Sequence, residues 1–286
     1  MESIELRVRR IGIVGLGLIG ASVALAVRRA SSTVWIGGVE QDGWPADAHQ
    51  GLVNALCRTT DLRDADLVVL AAPVGANVAV LGELAAAGCT ALVTDVGGTK
   101  RVMREAAEPA GAGLRYIGGH PMAGSEHSGP AHARADLFDD RPWFVVPGPG
   151  TAEADLARIE GFVRTLGARP ICIDAETYDR LMAVVSHVPQ IVASVLMEVL
   201  GEQAGRDGLV FAGQGLMDTT RLAAANSGWL PSVVETNAAS IVPSLDAVIE
   251  RLQAIRADID AGRSTADLFE RASAWRAVLQ DTRTTP

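Results

Sequence analysis

A glycine-rich loop after the first apolar segment constrains the fold of this chain more than any other feature of its sequence. The loop follows the apolar run Ile11–Gly15, precedes a stretch of helical length at Ala21–Ala30, and consists of Gly15, Leu16, Gly17, Leu18, Ile19 and Gly20. In this context the first glycine permits a tight turn, the second lets the backbone approach a pyrophosphate, and the third brings the helix against the strand. The amino terminus of the helix then faces the anion. We therefore predict that Gly15, Gly17, Leu18, Ile19 and Gly20 bind a dinucleotide cofactor.

An acidic residue at the end of the next apolar run extends this pattern. Glu40 ends the predicted strand Val34–Glu40 and lies twenty residues beyond Gly20. A carboxylate at this position accepts hydrogen bonds from the ribose diol of NAD and repels the 2′-phosphate of NADP. The next two residues, Gln41 and Asp42, supply no arginine that would compensate a phosphate. The pattern predicts NAD as the cofactor, and a solvated strand end is the alternative interpretation of Glu40.

Short apolar runs alternate with segments of helical length through the first 174 residues. The predicted strands are Ile11–Gly15, Val34–Glu40, Leu67–Pro73, Ala91–Val96, Arg115–His120, Trp143–Pro147 and Pro170–Asp174. The predicted helices between them include Ala21–Ala30, Asn77–Ala86 and Ala152–Leu166. This alternation is typical of a parallel sheet covered by helices on both faces. We predict an α/β, doubly wound Rossmann-type domain over residues 1–174, in which Pro73 forms a rigid turn on the nicotinamide side of the cofactor.

The pattern changes after Asp174, because the remaining apolar residues recur at helical spacing and no strand-like run bounded by turns follows. Breaks predicted at 201–208, 227–231 and 262–264 divide residues 175–286 into four or five helices. A segment of this size cannot easily bury so many apolar side chains within itself. Its apolar side chains include Val184, Val185, Ile191, Val192, Val195, Leu196, Val199 and Leu200. We predict an all-α dimerisation domain that packs against the first domain and a second copy of itself, which makes the protein a homodimer.

Charge and cysteine content exclude several classes of partner. The formal net charge is −9 and aromatic residues make up 4% of the chain, so nucleic acid is not an expected partner. Cys57, Cys89 and Cys172 are widely spaced and form no metal-ligand pattern, which indicates reduced thiols in a cytoplasmic protein without a metal site. The basic and apolar start of the chain imitates a signal peptide. Four glycines within residues 11–27 favour a buried strand and helix over a membrane segment.

His120 is the strongest candidate for a group that moves a proton while the cofactor takes a hydride. It ends the predicted strand Arg115–His120, at the carboxyl edge of the sheet where doubly wound folds bind ligands. Pro121 keeps the chain extended after it. An unperturbed imidazole has a pKa suited to general-base catalysis near neutral pH. A histidine packed at a strand end is the alternative.

The residues around His120 belong to a longer motif. Residues 119–129 have the sequence Gly-His-Pro-Met-Ala-Gly-Ser-Glu-His-Ser-Gly and resemble the signature of the prephenate and arogenate dehydrogenase family. Thr94–Lys100 is similar to the family's T-D-V-G-S-V-K, and Ser186–Gln190 is similar to its S-H-L-P-H. Asp218–Ala223, followed by Trp229 and Asn237, resembles its helical-domain motif. Together with the glycine loop, the resemblance extends over nearly the whole chain.

The resemblance implies an NAD-dependent oxidative decarboxylation of a cyclohexadienyl acid, prephenate or arogenate, in tyrosine biosynthesis. His120 would accept the proton of the ring C4 hydroxyl while C4 gives a hydride to NAD, and loss of the ring carboxylate as carbon dioxide makes the ring aromatic. Arg221 would clamp a substrate carboxylate through its planar guanidinium. Ser186 and His187 would face the same substrate, with a place in the core as the alternative for His187. Trp229 would lie at a dimer-facing edge of the site, and the core is again the alternative.

Three departures from the family pattern fall in motifs that face the substrate. Gly98 stands where the family has a serine whose hydroxyl can meet the substrate hydroxyl and the catalytic histidine. Gln190 replaces the second histidine of S-H-x-P-H, and the stretch from Arg221 to Trp229 is one residue shorter. A glutamine both donates and accepts hydrogen bonds but cannot become cationic. We expect Gly98 and Gln190 to contact the substrate, whose identity stays open between prephenate, arogenate and 4-amino-4-deoxyprephenate of secondary metabolism.

Two other classes of protein are alternatives to this family. The β-hydroxyacid dehydrogenases and imine reductases also join a Rossmann domain to a helical dimerisation domain. The β-hydroxyacid enzymes use a lysine of the helical domain, whereas the sole lysine of this chain is Lys100, whose role stays open. A non-catalytic NAD-binding sensor would have lost the histidine and the arginine, and both His120 and Arg221 are present.

Overall fold

The computed structural model describes residues 8–40, 51–108, 114–125, 127–224 and 230–284, which form two compact units divided between Ser240 and Ile241. Within the described residues, the first unit contains one sheet of eight strands. The strands are β1 (Arg10–Val14), β2 (Trp35–Val39), β3 (Ala55–Leu56), β4 (Leu67–Leu70), β5 (Leu92–Asp95), β6 (Arg115–Pro121), β7 (Pro142–Val146) and β8 (Arg169–Cys172). The seven predicted strands are confirmed to within a few residues, and the two-residue β3 was not predicted.

The order of the strands places a ligand-binding crevice beside β1. The sheet runs β3-β2-β1-β4-β5-β6-β7-β8, so the chain changes direction across the sheet at β1. β1 pairs in parallel with β2 and with β4, and Val14 lies opposite both Val39 and Leu70. Open α/β sheets bind ligands outside the carboxyl ends of their strands at such a switch point. The glycine loop follows β1 directly and therefore lies in this crevice.

One strand contradicts the prediction of a parallel sheet. β7 runs antiparallel to β6, with His120 opposite Phe144. In its described residues the segment between them contains a short 3₁₀ turn, Pro130–His132, rather than a crossover helix. A segment that does not cross over the sheet re-enters it at the same end at which the preceding strand finished. The next strand therefore runs in the opposite direction. β8 is again parallel to β7, because the helix Glu153–Thr165 connects them.

Helices cover both faces of the sheet, as predicted. They are α1 (Leu18–Ala30), α2 (Val74–Ala86), α3 (Arg101–Ala107) and α4 (Glu153–Thr165). Alternate residues of β4 point to opposite faces, so Val69 lies in the core under α1 and α4, and Val68 lies in the core under α2 and α3. Phe162 of α4 and Leu81 of α2 are buried in these cores and contribute about 1.5–3 kcal/mol each by leaving water.

The chain after Asp174 is helical throughout its described residues, as predicted, but it contains more helices than the four or five expected. They are α5 (Ala175–Met182), α6 (Val188–Leu209), α7 (Gln214–Thr220), α8 (Leu230–Thr236), α9 (Ala238–Asp260) and α10 (Ala266–Thr284), with a π-helical turn at Ala183–His187 and a 3₁₀ turn at Arg221–Ala224. The break predicted at 262–264 is confirmed. The break predicted at 201–208 is confirmed, because the backbone leaves helical geometry at Gly205 (φ +60°, ψ 179°) and divides the run Val188–Leu209 into two helices that meet at a kink. The break at 227–231 lies partly outside the described residues.

Both compact units expose large apolar side chains. In the first unit these include Val184, Val195, Val199, Val210 and Phe211, and in the second unit they include Leu252, Ile259, Phe269 and Trp275. Contiguous exposed apolar surface is typical of an interface with another protein or a membrane. The predicted boundary between residues 174 and 175 stays a prediction, because α5 to α8 belong to the same compact unit as the sheet.

Candidate active site

The glycine loop has the geometry that its spacing predicts. Gly15 adopts φ +86°, a left-handed conformation, while its N–H donates to the carbonyl of Val39 at 2.8 Å. A Cβ on Gly20 would lie 1.9 Å from the carbonyl oxygen of Gly15, so only glycine lets α1 approach β1 this closely. A Cβ on Gly17 would meet no atom within 4 Å. Gly17 therefore forms the open side of the loop, where a ligand can approach the backbone.

The amino terminus of α1 is available to an anion. Gly17 is the N-cap residue and supplies no side-chain hydrogen bond, and the first turn of the helix carries no acidic residue. The first N–H groups of a helix lack intrahelical partners and attract negative charge. Leu18 and Ile19 begin the helix and are partly buried against the core, so their side chains anchor the loop.

Glu40 lies directly beside the glycine loop. Its Oε2 atom accepts a hydrogen bond from the backbone N–H of Leu16 at 2.5 Å, which ties the end of β2 to the turn after β1. The side chain is half-buried. A carboxylate at this place fits the ribose diol of a dinucleotide and also supports the shape of the loop.

The turn after β4 forms the other wall of the crevice. Pro73 is exposed and is the N-cap residue of α2, with φ −54°. The buried side-chain amide of Asn77 donates to the carbonyl oxygen of Ala72 at 2.8 Å. Asn77 therefore lies inside the helix rather than at its start, where the sequence placed it, and it holds the turn that carries Pro73.

His120 is a neutral histidine near the carboxyl end of β6. Its ring is half-buried, and Nδ1 lies 2.5 Å from the hydroxyl of Tyr178. Burial is the main cause that lowers the pKa of His120 to about 3, and the charges of Lys100 and of His187 in its protonated form lower it further. A neutral imidazole at neutral pH has a lone pair that can accept a proton. This is the protonation state that a general base requires.

Tyr178 links the predicted substrate-facing loop to His120. Its side chain is fully buried, and its hydroxyl donates to the carbonyl oxygen of Gly98 at 3.2 Å as well as contacting His120. A Cβ on Gly98 would meet only Val233, at 3.4 Å, so a side chain would fit there. Tyr178 was not predicted, because a tyrosine on the first turns of a helix carries no motif of its own.

Lys100, whose role the sequence left open, is fully buried behind the strand that carries His120. Its Nζ forms an ion pair and hydrogen bond with Asp95, which is equally buried. Asp95 also accepts from the hydroxyl of Tyr116 at 2.7 Å and from the backbone N–H of Gly119 at 3.0 Å. Burial lowers the pKa of Lys100 and raises that of Tyr116 well above its ordinary value. The pair fixes the backbone immediately before His120.

Asp179 joins the helical segment to the start of α3. Its carboxylate accepts from the backbone N–H groups of Lys100 at 2.8 Å and Arg101 at 3.0 Å, which caps the start of α3. Burial is the largest influence on Asp179 and raises the pKa of its carboxyl. The residue was not predicted, and the only sequence signal was its position between two family-like motifs.

His187 lies in the π-helical turn and is buried. Its Nδ1 is 3.1 Å from the side-chain nitrogen of Asn237, which also donates to the carbonyl oxygen of Asp179 at 2.8 Å. Because the amide nitrogen can only donate, Nδ1 accepts and the proton of the neutral ring lies on Nε2. Burial lowers the pKa of His187 to about 4. The adjacent Ser186 is partly exposed.

Gln190 is connected to the segment that carries Arg221. Its buried side-chain amide donates to the carbonyl oxygen of Leu222 at 2.7 Å, which ties the start of α6 to the 3₁₀ turn. Arg221 is exposed and is the first residue of that turn. The amide of Gln190 therefore positions the backbone next to the predicted carboxylate clamp. Trp229 lies outside the described residues.

Other features of the described residues lie away from this cluster. A cavity of about 500 Å³ is at the amino edge of the sheet, beside Arg104 and Arg115. Both arginines are ion-paired, to Glu176 and Asp155 respectively. In the described part of the chain no group of three or more histidine, cysteine, aspartate or glutamate side chains could hold a metal ion. The three cysteines are free thiols, as predicted.

Comparisons with known proteins identify similar chains. Residues 23–172 match the model described as the nucleotide-binding domain of prephenate dehydrogenase, and residues 174–272 match the model described as its dimerization domain. The chain is 30% identical over 257 residues to prephenate dehydrogenase of Bacillus subtilis (strain 168), covering 87% of this chain and 69% of that relative. It is 30% identical over 264 residues to cyclohexadienyl dehydrogenase of Zymomonas mobilis, covering 88% of each.

A solved structure shares the fold over nearly the full length. It is prephenate dehydrogenase from Aquifex aeolicus in complex with hydroxyphenyl propionate and NAD+, with a TM-score of 0.85 and 23% sequence identity. The similarity covers 96% of this chain and 99% of that chain.

Proposed function

The chain belongs to the prephenate dehydrogenase family, and we propose that it catalyses the NAD-dependent oxidative decarboxylation of a cyclohexadienyl acid, prephenate or arogenate, to an aromatic product of tyrosine biosynthesis. The observation that carries this proposal is the neutral imidazole of His120, which is held by Tyr178 at the carboxyl edge of the sheet that also presents the glycine loop. A base beside a dinucleotide site is what such a reaction needs from the protein.

The cofactor is NAD, and the glycine loop fits it. The missing side chain of Gly17 leaves space that a Cβ would otherwise fill, and the uncapped terminus of α1 favours a pyrophosphate. Glu40 lies where it can accept from a ribose diol, and its charge disfavours a 2′-phosphate. Bound NAD supplies the acceptor for the hydride that leaves the substrate.

The role of His120 is to take a proton and return it. Its ring accepts the proton of the C4 hydroxyl as that carbon is oxidised. The ring carboxylate then leaves as carbon dioxide, and its bonding electrons stay in the ring and make it aromatic. The phenolate oxygen that results takes the proton back, so the protein is unchanged at the end. A substrate carboxylate near His120 raises the pKa of the imidazole from its low value, because negative charge favours the imidazolium.

The helical segment binds and orients the acid. Arg221 pairs with a substrate carboxylate. The hydrogen bond from the side chain of Gln190 to the carbonyl oxygen of Leu222 holds the turn that carries Arg221. The Nε2–H group of His187 is a donor for a substrate oxygen, and its buried, neutral state keeps it a donor without a charge. Ser186 and Gly98 complete the substrate-facing set.

Replacement of His120 tests the base assignment. We expect His120→Asn to lower kcat by about 100- to 10,000-fold, the range for loss of a general base, and to leave the affinity for NAD unchanged. Formation of NADH gives kcat, and titration calorimetry gives the NAD affinity. The exposed His132 in the 3₁₀ turn offers a matched control, since His132→Asn alters a histidine on the same loop system without touching the site. Normal turnover by His120→Asn would remove the base from the proposal.

The substrate is identified by comparing kcat/KM for prephenate, arogenate and 4-amino-4-deoxyprephenate with NAD and with NADP. We expect the highest value for prephenate or arogenate with NAD. A clear preference for the amino compound would favour the alternative, in which the glutamine at position 190 and the glycine at position 98 accommodate a C4 amine. Turnover of none of the three would refute the proposed function.

A homodimer formed through the helical segment accounts for the exposed apolar surface. The helical run Ala175–Leu209 is long and apolar enough to cross a membrane by length and composition alone. Its first turns instead bind the turn between β5 and α3 through Tyr178 and Asp179. Val195 and Val199, one turn apart on α6, are about half exposed, at 50% and 42%. We propose that a second copy covers this face and that the dimer acts in the cytoplasm.

Analytical ultracentrifugation tests the dimer. The wild type is expected to sediment at twice the chain mass, and the double variant Val195→Asp with Val199→Asp is expected to sediment as a monomer, because burying carboxylates in an apolar interface is costly. Glu202→Lys, at an exposed polar position of the same helix, is the control. A monomeric wild type would contradict this assembly.

A further inference from the structure

The hydroxyl of Tyr178 contacts two groups with different hydrogen-bonding capacities. The carbonyl oxygen of Gly98, at 3.2 Å, can only accept a hydrogen bond. The Nδ1 atom of His120, at 2.5 Å, can donate or accept, according to which ring nitrogen carries the proton. The hydroxyl has a single proton to share between these two neighbours.

One of the two ways of sharing this proton fixes the tautomer of His120. If the hydroxyl proton of Tyr178 goes to the carbonyl of Gly98, the tyrosine oxygen is left to accept from His120. Nδ1 must then carry the ring proton, and Nε2 of the neutral ring has a free lone pair. The opposite tautomer would place a proton on Nε2 and turn this nitrogen into a donor. A base that works through Nε2 therefore needs the first arrangement.

Tyr178 is held firmly enough to impose this choice. Its ring is fully buried and packs edge-on against Phe144, with the ring centroids 5.4 Å apart. The next residue, Asp179, binds the backbone of Lys100 and Arg101, which fixes α5 to α3. Burial raises the pKa of Tyr178 well above its ordinary value, so the phenol keeps the proton that it donates to Gly98.

We propose that Tyr178 is a positioning residue for the reaction: it holds His120 as the Nδ1–H tautomer, so that Nε2 faces the substrate as the proton acceptor. The importance of this tautomer for turnover rests on the proposed function, whereas the tautomer itself can be observed without any turnover. When the imidazolium forms, the same tyrosine oxygen still accepts from Nδ1–H and stabilises the positive charge. Orientation of a catalytic imidazole through its second nitrogen is the general way in which its tautomer is set.

Nuclear magnetic resonance of protein labelled with ¹⁵N in its histidines tests the tautomer directly. The chain has five histidines, and comparison with His120→Asn assigns the signals of His120. We expect the wild type to show a protonated Nδ1 and a bare Nε2 at neutral pH, and Tyr178→Phe to lose this preference. A proton on Nε2 of the wild-type ring would overturn the proposal, whatever the activity of the variants.

Kinetics of the same variant test the consequence. Tyr178→Phe keeps the aromatic ring and removes only the hydroxyl, so we expect kcat to fall roughly 10- to 100-fold, with KM for NAD and for the acid changed by no more than about 3-fold. The chain has two tyrosines, and the other, Tyr116, donates to Asp95 within the same buried region. Tyr116→Phe is thus a matched control for the loss of a buried phenol hydroxyl, and it should leave the His120 tautomer as in the wild type.

The outcomes separate the two proposals. Full kcat in Tyr178→Phe, or the same tautomer change in Tyr116→Phe, would refute a specific positioning role for Tyr178. Full activity of His120→Asn would refute the base assignment, while the ¹⁵N spectra would still decide whether Tyr178 sets the tautomer. If Tyr178→Phe does not fold, the wild-type spectrum alone supports the proposal or overturns it.

Discussion

Two substitutions in the glycine loop, Gly20→Ala and Gly17→Ala, each add one methyl group but are expected to impair different properties of the protein. Gly20→Ala adds a methyl group 1.9 Å from the carbonyl oxygen of Gly15, at a distance that backbone atoms cannot tolerate. Gly17→Ala adds the same group where no atom lies within 4 Å, at φ −69°, which alanine adopts readily. The first variant tests helix packing, and the second tests ligand approach.

The cost of Gly20→Ala follows from the contact that it breaks. Relief of the overlap requires α1 to move away from β1 by about 1 Å, and overpacking of this kind costs about 3 kcal/mol or more when the neighbour is backbone. Replacing a helical glycine by alanine returns about 1 kcal/mol. The net loss of about 2 kcal/mol lowers Tm by roughly 4–8 °C in a unit of this size. Gly17→Ala should change the free energy of unfolding by less than about 1 kcal/mol.

Gly17→Ala, which should cost little stability, should instead weaken the binding of NAD. In Gly17→Ala the methyl group occupies the space through which a pyrophosphate approaches, so we expect Kd for NAD to rise by about 10-fold or more, which corresponds to about 1.4 kcal/mol. Thermal unfolding by circular dichroism and NAD titration by calorimetry measure the two quantities. A Gly20→Ala protein that melts with the wild type, or a Gly17→Ala protein with wild-type NAD affinity, would refute this account of the loop.

Three further predictions address the charged groups of the site. Arg221→Ala should raise KM for the cyclohexadienyl acid at least about 10-fold by removing a charge-assisted pair, and steady-state kinetics with an unchanged KM would exclude the clamp. Lys100→Met should cost about 3–5 kcal/mol in urea unfolding, because Asp95 is left as an uncompensated buried charge, and near-wild-type stability would contradict that view of the pair. The pKa of His187 is about 4 in the folded state and about 6.5 when unfolded, so only the unfolded chain takes up this proton between those values. Stability should therefore fall by up to about 3 kcal/mol as the pH drops from 6.5 to 4, and His187→Gln should make the decline in Tm shallower; an identical decline would show that His187 is not its source.

The fold could be predicted largely from local patterns, and the exceptions have identifiable causes. The strands and the glycine turn follow from apolar runs and from the spacing of Gly15 and Gly20, which depend on neighbouring residues only. The direction of β7 depends on whether the preceding segment crosses the sheet, and apolar periodicity does not report this. The interruption at Gly205, by contrast, was predicted from the glycines of residues 201–208, because glycine adopts a positive φ at no steric cost.

The candidate site was predictable in part. His120, His187 and Gln190 were found by the motifs around them, and the structure supplies each with a specific neighbour. Their precise roles in the reaction stay predictions. Tyr178 and Asp179 were missed, since their importance comes from partners 58 and 79 positions away in the chain.

Sequence alone determined that this chain begins with a dinucleotide-binding βαβ unit and continues into an all-helical segment, because turn chemistry and apolar period are properties of short stretches. Only the tertiary structure decided that the sole lysine is buried against Asp95 and that a tyrosine hydroxyl stands between Gly98 and the ring of His120. Both arrangements depend on which elements the folded sheet brings together, and on the cost of leaving a buried polar group without a partner, which no local pattern encodes.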